Sequence, residues 1–221
     1  MKCLVCLNTI EPQVTWEIFL QLPEKDKLCS DCSHRMERIT KPGCPRCFRT
    51  DSIGVCYDCE RWEESHEGVL EKNVSVFRYN DFSKEVVARW KYRGDYVLME
   101  AYQKDILKTF TLHYPEPIPL IVIPLSETRL HERGFNQSEA IIQLLQRESH
   151  QLLTRMGTQK QSKKHRSARI QSTNPFRLTK VIHDPVILID DIYTTGSTLR
   201  HAASLLKKEG CPQVYAFTLF R

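Results

Sequence analysis

The sequence predicts an α/β protein: an open, mostly parallel sheet flanked by helices, with a cysteine-rich metal-binding module in front of it. Three observations carry that reading. Eight of the nine cysteines fall within the first 59 of 221 residues, in four Cys-x-x-Cys pairs. Beyond them, short apolar runs alternate with segments of helical period, the pattern of βαβ units rather than of hairpins. One such run, residues 186–189, is apolar throughout, as a strand covered on both faces has to be.

The cysteine pairs are Cys3/Cys6, Cys29/Cys32, Cys44/Cys47 and Cys56/Cys59. Two thiolates three residues apart on a tight turn grip one tetrahedral ion, and a second turn completes its shell. Four turns therefore make two four-cysteine sites, and zinc is the ion expected in each. The simplest arrangement joins the first pair to the second and the third to the fourth. An interleaved one, first with third and second with fourth, is equally compatible with the spacing. Closed four-thiolate sites hold a fold together and offer no open position for catalysis. A segment this short buries little core, so metal binding supplies most of its folding energy. A thioredoxin-like redox site needs one pair beside a βαβ unit, and none is near. Cys211 stands apart, as a core or surface thiol.

We place the boundary between the module and the α/β domain after residue 66, giving segments 1–66 and 67–221. In the second segment residues 74–80 alternate as a strand does. Residues 81–94 read as a capped helix, with Ser83 at the N-cap, Val86, Val87 and Trp90 on one face and Gly94 at the end. A second amphipathic helix is expected over 96–113, a buried strand over 119–126 and a helix over 136–149. The apolar strand 185–191, the helix 196–210 and the strand 213–221 complete the series.

At 41% apolar and 27% charged residues, the composition is that of a soluble globular protein. The net charge of +5 is modest, but its distribution is uneven. Between Ser149 and His183 lie eight Lys and Arg residues and no Asp or Glu. Such a stretch suits contact with anions; a solvated loop is the plainer reading. No window approaches the roughly 18 apolar residues of a membrane span. The first residues lack the apolar core and cleavage site of a signal peptide. The expected location is therefore the cytoplasm, where thiols stay reduced and disulfides are disfavoured.

Asp190 and Asp191 follow the apolar strand, at the carboxyl edge where open parallel sheets bind their ligands. The next residues, "IYTTGST", lead into a helix whose free N–H groups favour an anion. Gly196 allows close backbone approach, and the hydroxyls of Thr194, Thr195, Ser197 and Thr198 can donate to phosphate oxygens. Two carboxylates beside a phosphate cradle suit a sugar phosphate, with its vicinal hydroxyls. The Gly-Lys-Ser/Thr of a nucleotide-binding P-loop and the G-x-G-x-x-G of a dinucleotide fold are both missing. The plainer reading is an ordinary strand-to-helix turn.

"VILIDDIYTTGST" resembles the 5-phosphoribosyl-1-pyrophosphate (PRPP) motif of type I phosphoribosyltransferases. The resemblance implies that Asp190 and Asp191 hold the ribose hydroxyls and that Tyr193, Thr194, Thr195, Gly196, Ser197 and Thr198 hold the 5-phosphate. "VIPLSETRLHERGFNQSE" (122–139) resembles the signature of the ComF family of competence proteins. "KYRGD" (91–95), the basic segment 158–176 and the double zinc ribbon fit the same family. By that resemblance Ser126, Arg129, Arg133 and Gly134 belong to a pyrophosphate-binding loop; alternatively, "RGFNQ" is a helix-entry turn capped by Asn136. Lys160, Lys163, Lys164, Arg166 and Arg169 lie where such enzymes keep a mobile catalytic loop, and their charge suits the phosphates of single-stranded DNA. The implied cofactors are two structural zinc ions, and Mg²⁺ with PRPP. The implied partners are single-stranded DNA, PRPP or a related phosphosugar, and other competence proteins such as the ComFA helicase-like translocase, which would bring the protein to the inner face of the membrane. The family function is DNA uptake in natural transformation. Two other readings are a nucleotide-salvage phosphoribosyltransferase, for which no base-binding hood is recognisable, and a zinc-ribbon adaptor between proteins.

Overall fold

A computed structural model describes residues 1–10, 27–156 and 174–221, and all structural statements below concern these. Seven strands run in chain order: β1 (Asn73–Phe77), β2 (Leu120–Val122), β3 (Ser149–His150), β4 (Leu153–Arg155), β5 (Phe176–Leu178), β6 (Val186–Ile192) and β7 (Val214–Phe220). Five form one sheet in the order β1-β7-β6-β2-β3, with every neighbouring pair parallel. β4 and β5 pair antiparallel as a separate ribbon. The helices are α1 (Ser30–Arg35), α2 (Tyr57–Ser65), α3 (Asp81–Tyr92), a 3₁₀ segment (Tyr96–Tyr102), α4 (Gln103–His113), α5 (Glu127–Arg133), α6 (Gln137–Leu144) and α7 (Ser197–Lys208). The expected α/β architecture is the observed one.

Period-two alternation divides the core into two halves, one on each face of the sheet. Ile187 and Ile189 of β6 join Trp90, Ile106, Phe110 and Ile141 beneath α3, α4 and α6. Val186 and Leu188 join Leu199, Ala202, Ala203 and Leu206 beneath α7. The small alanines let α7 lie close to the strands. The two halves also divide the cysteine-rich residues. Cys3, Cys32 and Met36 pack into the first, while Cys44, Cys47, Cys56 and Cys59 pack into the second.

The module also lines the outer edge of the sheet. Ile39 N–H donates to Val76 O (2.9 Å), Arg78 N–H to Glu37 O (2.8 Å) and Asn73 N–H to Arg46 O (2.8 Å). These bonds occupy backbone groups of β1 that an exposed edge would leave open.

Three of the expected helices differ in local detail. The cap of α3 is Asn80, whose Oδ1 accepts from Ser83 N–H at 2.8 Å, while the Ser83 hydroxyl donates to Asn80 O and Arg78 O. Asparagine three residues earlier is the better-placed acceptor for that N–H, which leaves Ser83 as the third residue of the helix. The expected helix 96–113 opens as the 3₁₀ segment and becomes α-helical only from Gln103. The helix expected over 136–149 stops at Leu144, and Gln146 turns the chain at φ 54.

Candidate functional site

The sheet order places a topological switch between β2 and β6. The chain leaves β2 toward β3 on one side and leaves β6 toward β7 on the other. Their following loops therefore diverge and open a crevice at the carboxyl ends, the place where such sheets bind ligands. Val122 lies opposite Ile189, so the residues after β2 stand beside Asp190 and Asp191.

The two aspartates belong to β6 itself, and strand alternation sends them to opposite faces. Asp191, only 8% exposed, forms an ion pair with the ammonium group of Lys91 on α3, which is equally buried. Asp190 turns to the α7 side, where its Oδ1 accepts from the Asp191 N–H at 2.9 Å. Burial, and next the charge of Asp191, push the Asp190 carboxyl up to about 7, against the opposing pull of that N–H, Lys91 and Arg155. Arg155, at the end of β4, is held below the usual guanidinium range by burial first and then by the positive charge of Arg129, with Asp190 acting the other way. Its guanidinium lies over the Phe176 ring, 5.4 Å from the centroid. One carboxylate is thus closed into a pair, while the other lies in the field of Arg155 and Lys91 without an ion pair to either.

The segment after β2 forms α5, a short helix that sequence periodicity did not indicate. Ser126 caps it by accepting from Arg129 N–H at 3.4 Å, and Gly134 ends it at φ 75, a left-handed conformation suited to glycine. Arg129 is exposed. Arg133 folds back instead, donating to Gln137 Oε1 at 2.5 Å and lying over the Tyr92 ring at 5.4 Å. Asn136 caps α6 through Ser138 N–H (2.9 Å) and donates to Ile123 O (3.1 Å), so it ties this segment to the end of β2.

The loop after β6 turns at Gly196, with φ 78, directly into α7, whose first turn carries no acidic side chain. A Cβ at Gly196 would collide with the Tyr193 hydroxyl and the Arg200 guanidinium, so position 196 admits no side chain without displacing them. Tyr193 is buried beneath the loop, its hydroxyl bonded to Arg200 and its ring 4.9 Å from the Arg221 guanidinium. Three successive carbonyls of the loop point to this side. Arg221 Nη1 donates to Tyr193 O (3.4 Å) and Thr194 O (3.1 Å), and Trp62 Nε1 donates to Thr195 O (2.8 Å). Across a trans peptide the next N–H points the opposite way, so those of Thr194, Thr195 and Gly196 turn toward the crevice. A run of such amides at a helix start is a concave anion site.

Each cysteine cluster has the geometry of a metal shell, and the pairing is consecutive. Cys3, Cys6, Cys29 and Cys32 form one group and Cys44, Cys47, Cys56 and Cys59 the other, with all sulfurs of a group within 4.8 Å of one another. Measured S···S separations are 3.7 Å (Cys6–Cys29), 3.9 Å (Cys44–Cys59) and 3.5 Å (Cys47–Cys56). A tetrahedron with metal–sulfur bonds of about 2.3 Å has edges of about 3.8 Å, so both groups fit zinc. Backbone N–H groups of Cys32 and Cys56 point at Cys29 Sγ (3.5 Å) and Cys44 Sγ (3.4 Å), as a thiolate shell requires.

Of the residues singled out from sequence, the eight cysteines form two clusters; Asp190, Asp191 and Thr194 to Thr198 lie at and after the carboxyl end of β6, and Ser126 and Arg129 follow that of the neighbouring β2. The side chain of Tyr193 lies behind the loop and that of Arg133 folds onto Tyr92. Lys160, Lys163, Lys164, Arg166 and Arg169 lie outside the described residues. Lys91 and Arg155 are visible in the sequence only as members of the KYRGD motif and of the basic stretch 149–183, not as neighbours of the two aspartates. Two adjacent acids on a buried strand do signal two cationic partners, one per face, but not where in the chain they are.

No protein-family profile matches the chain. It is 40% identical to Competence protein ComFC of Bacillus subtilis, over 99% of this chain and 94% of that protein. It is 36% identical to Competence protein ComFC of Streptococcus pneumoniae, with both chains covered in full. DNA utilization protein YhgH of Shigella flexneri is 30% identical over 88% of this chain and 90% of its own length.

Proposed function

Because the chain belongs to the ComFC family of competence proteins, we propose that it acts in DNA uptake, handling single-stranded DNA through a phosphoribosyl pocket at the sheet's switch point. The observation that supports the pocket best is Asp190 at the carboxyl end of β6, within the field of Arg155 and followed directly by the glycine turn that starts α7. Asp190 would hold the ribose hydroxyls, and Asp191, paired with Lys91, would fix the strand end. Thr194, Thr195, Gly196, Ser197 and Thr198 would cradle a 5-phosphate. Arg129 and Arg155 would face the pyrophosphate of PRPP, whose Mg²⁺ would offset its remaining charge. The basic segment with Lys160, Lys163, Lys164, Arg166 and Arg169 would track the DNA backbone without reading bases. Two zinc ions would hold the cysteine clusters. Partners of the uptake machinery, of the kind of a helicase-like translocase, would bind in the cytoplasm.

The test is titration calorimetry with PRPP and Mg²⁺. Replacing Asp190 by alanine removes a charge-assisted hydrogen bond worth ~1.5–3 kcal/mol and leaves the Lys91–Asp191 pair intact. Affinity should fall by about one to two orders of magnitude while the protein stays folded. Equal affinity of both proteins would remove Asp190 from the ribose site.

A further inference from the structure

The loop after β6 is held from behind, and the group that holds it is the second cysteine cluster. Arg221, which follows β7, donates through Nη2 to Cys47 Sγ at 3.3 Å and through Nε to Cys47 O at 3.2 Å. Its Nη1 bonds the loop carbonyls of Tyr193 and Thr194. Arg200, on the first turn of α7 and only 2% exposed, directs Nη2 to Cys59 Sγ at 3.9 Å and Nη1 to the Tyr193 hydroxyl. Trp62, on the helix that begins next to Cys56, bonds the carbonyl of Thr195 and stacks on Arg200 at 5.1 Å. The loop and the sulfur cluster thus share two guanidinium groups.

Charge explains why two arginines stand there. Four thiolates around one Zn²⁺ carry a net charge of about −2, and two guanidinium groups balance it. A buried arginine without such a partner is strongly unfavourable. Loss of the metal releases the sulfurs of Cys47 and Cys59 from their fixed places, and with them the anchors of Arg221 and Arg200. The carbonyls of Tyr193 and Thr194 are then no longer drawn to one side, and the amides facing the crevice lose their common direction.

We propose that Arg221 and Arg200 are positioning residues that join the metal shell of Cys44, Cys47, Cys56 and Cys59 to the phosphate loop, so that metal and sugar phosphate bind cooperatively. The inference rests on the ribose-phosphate reading of that loop. Coupling of this kind is reciprocal: metal strengthens phosphate binding, and phosphate slows metal loss by the same free energy.

The test uses the full chain with both metal sites filled, and two separate probes, ribose 5-phosphate and inorganic pyrophosphate. In R221M, ribose 5-phosphate should bind about tenfold more weakly, the loss of one hydrogen-bond pair to the loop, with R221K recovering part of it. Pyrophosphate, which faces α5 and β4, should bind R221M as it binds the wild type; a general loss of fold would weaken both probes. Under a chelator, one of the two zinc ions should leave R221M faster than wild type, and saturating ribose 5-phosphate should slow that same ion in the wild-type protein. Unchanged ribose 5-phosphate affinity in R221M, or zinc release indifferent to the sugar phosphate, overturns the coupling alone. Wild-type protein that binds neither probe overturns the ribose-phosphate reading, and the coupling falls with it.

Discussion

The two faces of the sheet carry matching inventories and use them differently. Each has one four-cysteine cluster, one aspartate of β6 and basic side chains reaching toward the strand ends. On the α3 side the charges are settled internally: Asp191 closes on Lys91, and Arg89 bonds the backbone carbonyls of Val5 and Leu4 and the carboxylate of Asp95. On the α7 side Asp190 closes no ion pair with a described residue, and two arginines are shared between the sulfurs and the loop. Asp190 has its carboxyl raised, Arg155 has its guanidinium lowered, and Arg200 and Arg221 run between the sulfurs and the loop. The lesson is that a Cys-x-x-Cys pair or an Asp-Asp pair does not state its own role. Whether the opposing charge is supplied within the protein or remains for a ligand decides it.

Three experiments test that contrast. The largest effect is expected on the settled face. K91M leaves Asp191 charged, buried and alone, and should cost about 3–5 kcal/mol in denaturant unfolding. K91M/D191N, which removes both charges, should restore most of it. A small loss in K91M would mean that the pair is not buried as described.

Next comes the contrast between clusters. Cys6 is exposed and Cys47 buried behind the loop. C6S should release one zinc and leave ribose 5-phosphate affinity unchanged, whereas C47S should release one zinc and lower that affinity at least about tenfold. Equal effects of the two, measured by metal analysis and calorimetry, would erase the difference between the faces.

The third experiment varies pH. Asp190 has its folded value raised to about 7, from about 3.9 in an unfolded chain. Between those values the folded state binds more protons than the unfolded one, so stability falls as pH rises from about 4 to about 7 and then levels. D190N removes this slope. Its unfolding midpoint relative to wild type should climb across that window, and a flat difference would show that Asp190 is not burdened by burial.

Much of this arrangement was legible in the sequence, for reasons that are local. Apolar runs separated by helical periods report strands and helices because each periodicity reflects what a single element must bury. Consecutive cysteine turns likewise report a shell. The cap of α3 was misplaced by three residues because Asn80 and Ser83 are both good caps, and only their geometry separates them. The short helix α5 went unseen because it buries none of its residues and so leaves no periodic apolar signature. The pairing of the cysteine turns, the reach of Lys91 to Asp191 across 100 positions of chain and the meeting of Arg221 with Cys47 depend on tertiary placement. No window of sequence contains them.

The strand order has a consequence for how the chain is made. β6 and β7 lie inside the sheet, yet they are synthesised after the other described strands, and among those strands β1 pairs with β7 alone. At about 5–20 residues per second, β1 waits roughly 7–30 s for its partner. The cysteine turns emerge earlier still and can close around metal during that interval. Residues 37–39 then cover one side of β1, through Ile39 and Arg78, while its other side is unpaired. The module thereby serves as a temporary escort for an edge that would otherwise be free to join a strand of another nascent chain.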